Sequence, residues 1–408
     1  VPRPLAGSRL PRELRPRRVP RLAAAIPGGV RSPDFSLLLQ RIDRSPLHQS
    51  SDVTFYTRGT DAFSAMAAAV AAAEREVLLE SYIFKDDRLG KAAAEFLRAA
   101  AERGVAVKVM ADAVGSWETR GSFWQHLAEH GVEVRLFHTL VRHPLYQAYR
   151  DHRKILVVDR RLAFTGGMNI GDEYAVGEGD TPAWRDTHAR VAGSAAWEMA
   201  VVFSEGWVRA GGEPLDLQAT PAEQPPGLAT QVLDSRPGRG HVESAAVLGA
   251  IVGAARETVW ITNSYFAPRH AVVGLLAGAV RRGVDVRLLL AGPTDVPLVR
   301  HAGHGLYAAL LRAGVRLFEY QASVLHAKTL VADDYVSVVG SSNLDYRSFR
   351  FNAECNLLVL GEAPARALSA AFASDLEAAQ EIRAADWKQR ALAHRWGDRL
   401  ARSLSPLL

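Results

Sequence analysis

Short apolar runs alternate along this chain with longer stretches in which apolar residues recur every three or four positions. In the first half the runs Val77 to Phe84, Val105 to Ala111 and Val132 to Phe137 read as buried strands, and Val53 to Tyr56 as a shorter one. Asp61 is placed to cap the Ala-rich helix that follows Tyr56, a second helix runs from Lys91 to Arg103 and stops at Gly104, and a third stops at Gly131. The second half replays this order. Val259 to Phe266 echoes 77–84, a helix over 269–282 ends at Gly283, and the strand Val284 to Leu290 follows. Another helix ends at Gly314, before the strand Val315 to Tyr320. Such alternation predicts an α/β fold in which each half is a mixed, largely parallel sheet flanked by helices.

The replay is an internal duplication, too long in period for a solenoid. It predicts two similar lobes, 35–210 and 229–382, related by a pseudo-twofold axis with the active site between them. Residues 211–228, rich in Pro, Ala and Gly, read as the linker. Near the C-terminus Trp387, Leu392, Trp396, Leu400 and Leu404 recur mostly at helical spacing among Lys388, Arg390, Arg395, Arg399 and Arg402. That pattern predicts an amphipathic helix over 383–408, lying on a membrane surface or docked on its own domain.

Charge changes the picture less than the net +5 implies. Residues 1–22 hold seven Arg against Glu13 alone, so the other 386 residues sum to −1. Residues 1–34 therefore read as a basic Arg/Pro tail, expected to be disordered, and a polyanion-binding body is not indicated. Cys355 is the only cysteine, which excludes an internal disulfide, argues against a Cys-rich zinc site and fits a reducing compartment. The longest apolar run, Ala271 to Val280, is about half a bilayer span, and no signal-peptide pattern is seen.

The chemistry lies in a repeated motif. His152-Arg153-Lys154-Ile155-Leu156-Val157-Val158-Asp159 returns as His326-Ala327-Lys328-Thr329-Leu330-Val331-Ala332-Asp333. In both copies a Gly follows fourteen residues after the His (Gly166, Gly340) and an Asn seventeen after it (Asn169, Asn343). One copy would carry little weight, since each residue type makes up roughly 2–7% of an average protein. Two copies at identical offsets are not a product of composition.

His152 and Lys154 are two apart in a strand-like run, so they face the same way, as do His326 and Lys328. Asp159 and Asp333 complete the motif's catalytic pattern, but they have the opposite parity and sit at turns. We assign them to fixing the hairpins. Two imidazoles, two ammonium groups and two amides converging at a lobe interface suit a phosphodiester. Lys and Asn would hold the non-bridging oxygens while the histidines move protons and attack phosphorus. The backbone at Gly166, Gly167, Gly340 and Ser341 would approach the phosphate closely. Metal binding fits less well, because Lys is a poor ligand and no carboxylate cluster accompanies it.

The halves differ between Gly131 and His152, 21 residues apart, where Gly314 and His326 are 12 apart. The extra residues fall in Phe137 to Tyr149 and include His138, Leu140, Val141, Arg142, His143, Leu145 and Tyr146. They suit a headgroup or acyl chain; a plain surface insertion is the alternative.

The segments RDHRKILVVD, FTGGMNIGDEY, WRDTHARVAG, HAKTLVADD and GSSNLDYRSF resemble the phospholipase D superfamily, and within it the bacterial cardiolipin synthase branch. The resemblance runs from about Asp52 to the C-terminus, whose ending RLARSLSPLL is also similar. It implies phosphatidyl transfer through a phosphohistidine without metal or other cofactor, with His152 as nucleophile and His326 as general acid and base. It further implies that Asp186 and Glu354 orient the histidines. Many members carry two N-terminal membrane spans that are not seen here, so the chain looks more like the anchorless, cardiolipin synthase B-like form. The partners implied are an anionic phospholipid membrane, met peripherally at its cytoplasmic side, and phosphatidylglycerol as donor and acceptor. Lipid hydrolysis, exchange with another alcohol, a nuclease and an idle lipid-binding module are the rival readings.

Overall fold

The computed structural model describes residues 10–43, 45–138, 149–177, 179, 181–217, 227–236 and 241–404. Helices α1 (Val19–Ala24) and α2 (Pro33–Ile42) come first. The first half runs through β1 (His48–Tyr56), α3 (Gly59–Ala71), β2 (Glu76–Ser81), α4 (Arg88–Glu102), β3 (Ala106–Asp112), α5 (Gly121–Glu129) and β4 (Glu133–Phe137). It continues with β5 (Arg150–Asp151), β6 (Ile155–Val158), β7 (Leu162–Gly166), α6 (Asp172–Ala175), β8 (His188–Gly193) and α7 (Ser194–Arg209). The second half repeats the plan with β9 (Leu228–Ser235), α8 (His241–Ala254), β10 (Thr258–Asn263), α9 (His270–Arg281), β11 (Asp285–Ala291), α10 (Pro297–Arg312) and β12 (Arg316–Tyr320). Then come β13 (Lys328–Ala332), β14 (Val336–Gly340), β15 (Asn352–Leu360) and α11 (Glu362–Glu377), with β16 (Ala379–Ile382), α12 (Ala384–Lys388) and α13 (Leu392–Leu404) at the end.

The elements follow the patterning. β2 is buried along nearly its whole length, which is why it reads as a continuous apolar run rather than an alternating one. In α4, Ala93, Leu97 and Ala100 face inward, and Asp87 caps the helix by accepting from the Gly90 amide at 2.8 Å. Gly104 and Gly283 end α4 and α9 with φ of +88° and +89°, a conformation glycine adopts without strain. Asp61 lies in the first turn of α3 and makes no cap bond, because that helix begins two residues earlier.

Among the described residues the strands form one continuous sheet. Read inward from one edge the order is β12-β11-β10-β13-β14-β15-β9, and from the other β4-β3-β2-β6-β7-β8-β1, with β16 added outside β12. The pseudo-twofold passes through the antiparallel β1–β9 ladder, where Ser50 Oγ and Thr230 Oγ1 share a buried hydrogen bond of 2.7 Å. The ladders within β2-β3-β4 and β10-β11-β12, which the intervening helices predict, are parallel. The motif hairpins β6–β7 and β13–β14 add antiparallel strands to each lobe. A core on one face, including Met199, Phe203 and Trp207 of α7 with Val331 and Leu357, spans both halves.

The first 34 residues do not match the expected tail. From Leu10 onward they are folded: Leu14, Val19, Ala23 and Val30 are buried together with Phe35, Leu38, Leu39 and Ile42 of α2. This segment packs on α8, so it belongs to the core of the second lobe although it precedes the first. Gly249 and Gly253 of α8 make the close contact feasible, since a Cβ at 253 would lie 2.5 Å from the Pro20 carbonyl oxygen. Each large apolar side chain buried here contributes about 1.5–3 kcal/mol. Residues 1–9, most of the insertion (139–148) and most of the linker (218–226) lie outside the described residues.

Candidate active site

Both motif histidines stand at the seam between the halves. β5 pairs in parallel with the start of β15, setting Arg150 opposite Asn352 and Asp151 opposite Ala353. The His152 amide then donates to the Ala353 carbonyl at 2.9 Å. The next residue of β15, Glu354, reaches the ring, its Oε2 lying 3.0 Å from His152 Nδ1. The other copy does the same. A parallel bridge joins Arg185 to Leu325, the His326 amide donates to the Arg185 carbonyl at 2.8 Å, and Asp186 Oδ2 lies 2.7 Å from His326 Nδ1. Each half therefore supplies the carboxylate for the other half's histidine. A carboxylate at Nδ1 holds the proton there and leaves the Nε2 lone pair for substrate.

Burial governs the electrostatics. It pushes the Asp186 carboxyl up, but the adjacent His326 ring and Lys328 ammonium outweigh it and hold the group below its ordinary value. Burial also raises Glu354, which His152, Lys154 and the Ser341 hydroxyl bring below its ordinary value. Glu354 accepts from Ser341 Oγ at 2.5 Å, Ser348 Oγ at 2.7 Å and Asn352 Nδ2 at 3.3 Å besides the imidazole. Among the described residues Asp186 accepts hydrogen bonds from His326 and from its neighbour's amide, Thr187 N, at 2.6 Å, and so has fewer such partners than Glu354. Burial lowers His152 to about 4, and burial together with Lys328 lowers His326, so both rings rest neutral. Burial brings Lys154 down to about 7 and Lys328 to about 8. An arriving phosphodiester anion favours their charged forms.

The lysines turn back over their own motifs. Lys154 Nζ donates to the His152 carbonyl at 2.7 Å, and Lys328 Nζ to that of His326. Two tyrosines flank the pairs: the Tyr82 ring centroid lies 4.9 Å from that of His152, and Tyr265 5.8 Å from His326. Tyr174 and Trp184 each pack 5.5 Å from the His326 ring. The pattern reading placed Tyr82 and Tyr265 in buried strands. The signal for a site role was the Ser-Tyr pair at the C-terminal ends of both β2 and β10, Ser81-Tyr82 and Ser264-Tyr265.

A family model described as "Cardiolipin synthase, PLD-like domain" matches residues 66–182 and 248–376, one segment in each half. Cardiolipin synthase A of Pseudomonas entomophila (strain L48) is 38% identical over 91% of this chain and 78% of its own length. The cardiolipin synthase of Halalkalibacterium halodurans is 32% identical over 91% of this chain and 75% of its length. This chain belongs to the cardiolipin synthase family of phospholipase D-like proteins. Its fold matches the crystal structure of a phosphatidylserine synthase from Haemophilus influenzae Rd KW20, with a TM-score of 0.70 at 13% identity over 92% of this chain and 98% of that one.

Several residues of the cardiolipin synthase motif prove to be scaffold. Asp159 and Asp333 lie at the far ends of β6 and β13 from the histidines, each with φ 51°. Asp159 accepts from the amides of Glu74, Arg75 and Glu76, and Asp333 from those of Arg256, Glu257 and Thr258, at 2.8–3.0 Å. They anchor the hairpin turns to the starts of β2 and β10, as their parity implies, and do not join the catalytic set. The glycines do not present amides to a phosphate. The Gly167 amide donates to the Thr187 carbonyl at 3.0 Å and the Ser341 amide to that of Cys355 at 3.1 Å. Gly is required because the next strand is close: a Cβ at 166 would lie 2.5 Å from the Thr187 carbonyl oxygen, at 167 2.1 Å from Asp186 Oδ1, and at 340 2.2 Å from Asn356 Oδ1. Asn169 likewise holds a loop, accepting from the Ile83 amide at 3.1 Å and donating to the Tyr174 hydroxyl at 2.6 Å. Asn343 Oδ1 accepts from Ser264 Oγ at 2.9 Å.

The C-terminal helix divides its faces. On one side of α13, Asp398 is buried against α10 with His301 Nδ1 at 2.9 Å and is paired with Arg390 at 2.9 Å. On the other side Trp396, Leu400 and Leu404 are exposed. Trp387, expected on the same stripe, packs instead on Tyr307, with ring centroids 4.8 Å apart. Among the described residues no helix is long and apolar enough to cross a membrane.

Proposed function

We propose that this protein transfers the phosphatidyl group of one phosphatidylglycerol to the glycerol hydroxyl of another, making cardiolipin and releasing glycerol. The observation that carries the reading is the reciprocal pair of buried histidine–carboxylate contacts, His152–Glu354 and His326–Asp186, in a chain of this family. His326, neutral at rest, takes up a proton as the phosphodiester anion binds. His152 Nε2 then attacks phosphorus and breaks the bond to the glycerol oxygen, while His326 gives that proton to the oxygen. Neutral His326 then takes the proton of the acceptor hydroxyl, whose oxygen attacks phosphorus and frees His152. Lys154 and Lys328 hold the non-bridging oxygens throughout.

The division of labour rests on the two carboxylates. Glu354 spreads its charge over three donors besides His152, so it is the weaker support for an imidazolium. Asp186, with fewer partners, supports a protonated His326 better. Trp396, Leu400 and Leu404, with Arg399 stacked beside Trp396, lie against the cytoplasmic face of the membrane and keep the protein peripheral.

Purified protein with phosphatidylglycerol vesicles should yield cardiolipin and free glycerol by mass spectrometry, with chelator present, and leave DNA intact at equal enzyme concentration. DNA cleavage that disappears in His152→Ala, with no cardiolipin formed, would instead assign the chain to the nuclease branch.

A further inference from the structure

The duplication leaves one feature unmatched. One residue before the motif Asn stands Met168 in the first half and Ser342 in the second, and five residues after it stand Tyr174 and Ser348. Met168 and Tyr174 are buried and fill their side of the site, with α6 so close to α3 that a Cβ on Gly59 would lie 2.0 Å from the Tyr174 carbonyl oxygen. The two small serines leave a pocket between α8 and the sheet. Val247, Leu248 and Ile251 of α8, with Leu330, Val338 and Phe349, form its walls. Lys328 and Asn343 line the same pocket, so it is continuous with the active site. Leu248, Val338 and Phe349 are partly exposed where it reaches the surface.

Polar residues also border its inner end, but their polar atoms are already engaged. Asn263 Oδ1 accepts from the Leu344 amide at 3.0 Å, Asn356 Nδ2 donates to Ser342 Oγ at 2.8 Å, and Ser348 Oγ donates to Glu354. What they offer a guest is mainly carbon. A cationic mouth leading into an apolar slot matches a molecule with an anionic head and a hydrocarbon tail.

We propose that this pocket takes an acyl chain of the phospholipid whose phosphodiester lies at the two histidines, so the second half alone grips the lipid tail. The inference deepens the transfer reading and rests on it for the position of the phosphate. Every methylene buried adds to the binding energy, so a chain held here supplies a large share of it.

Phosphatidylglycerol carrying a diazirine on its acyl chain, photolysed with the His152→Ala protein in vesicles, should label peptides spanning 241–254 and 344–349. Labelling confined to other segments would overturn the pocket. Cardiolipin formation by the unaltered protein is scored separately: labelling here without cardiolipin would defeat the transfer reading and leave the pocket standing. Val247→Phe and Leu248→Trp, which touch no catalytic group, should lower kcat/KM for dioleoyl phosphatidylglycerol by about tenfold or more. The dibutanoyl lipid should be spared. An equal loss for both lipids, or none for either, would contradict the proposal.

Discussion

The two halves preserve one set of residues and vary another. His, Lys, the hairpin Asp, the Gly and the Asn recur at the same offsets, and each half sends a carboxylate across the seam. What varies surrounds them: Arg153 against Ala327, Gly167 against Ser341, Met168 against Ser342, Tyr174 against Ser348, Asp186 against Glu354. The preserved residues are those a two-step displacement uses twice, together with the turn that holds each of them. The varied residues set how tightly each half is tied and filled, which is what a pseudo-symmetric site needs to treat donor and acceptor differently. In the proposed transfer, symmetry supplies the chemistry and its breaking supplies the direction.

The largest effect is expected where only one half has a tie. Arg153 is buried, with Nη2 2.5 Å from Asp234 of the second half and Nη1 3.5 Å from Glu80. Arg153→Ala strands these acids and should cost about 3–5 kcal/mol in urea unfolding. Ala327→Gly, at the matching position, removes no ion pair and should cost about 1 kcal/mol or less.

The carboxylates give a sharper test. Gly167 leaves room for Asp186, whereas Ser341 at the equivalent place donates to Glu354. Gly167→Ser should displace Asp186, misorient His326 and lower turnover by about 10²–10⁴, the usual worth of a positioned acid–base group. Adding Asp186→Glu, which copies the second half, should recover part of the loss. No recovery would mean that the carboxylates are not interchangeable within the scaffold.

The pH profile follows from the lysines. Burial lowers both, Lys154 to about 7 and Lys328 to about 8, and in the proposed transfer their cationic forms hold the phosphate. Above those values the ammonium groups lose their protons, so kcat/KM on a monomeric short-chain lipid should fall as pH rises, about tenfold per unit for each group lost. Lys154→Arg, which stays protonated, should move the first alkaline break upward in its residual activity. A profile flat from pH 6 to 9 would contradict this role.

The smallest effect concerns α13. Replacing Trp396, Leu400 and Leu404 with Ser should weaken sedimentation with anionic vesicles several-fold, by removing apolar area from the bilayer contact. The monomeric-lipid rate should not change. Unaltered sedimentation would leave α13 a docked helix with no membrane role.

Much of this architecture was legible in the sequence. Strand and helix order followed from periodicity, the lobes from the repeat, and the structural role of Asp159 and Asp333 from side-chain parity. The exchange of carboxylates across the seam was not legible. The pairings that create it, β5 on β15 and Arg185 on Leu325, are two residues and one residue long, too short to leave a periodic trace. The N-terminal segment was misread because its arginines masked Leu10, Leu14, Val19 and Ala23, which recur every four or five residues along one buried side. Gly167 was assigned to a phosphate because a sequence does not reveal that a neighbouring carboxylate occupies the space a Cβ would need.

The central claim, an asymmetric transfer through one histidine of a symmetric pair, is tested most directly by trapping the intermediate. Protein mixed with phosphatidylglycerol, quenched in base within the first turnover and digested, should carry the phosphatidyl group, or the phosphate left by hydrolysis of its esters, on the peptide containing His152. The His326→Ala protein, which lacks both the acid for the leaving glycerol and the base for the acceptor, should form this adduct slowly and hold it longer, and the His152→Ala protein should carry none. A modified His326 peptide would reverse the assignment. Turnover with no modified histidine in either peptide would contradict the account itself.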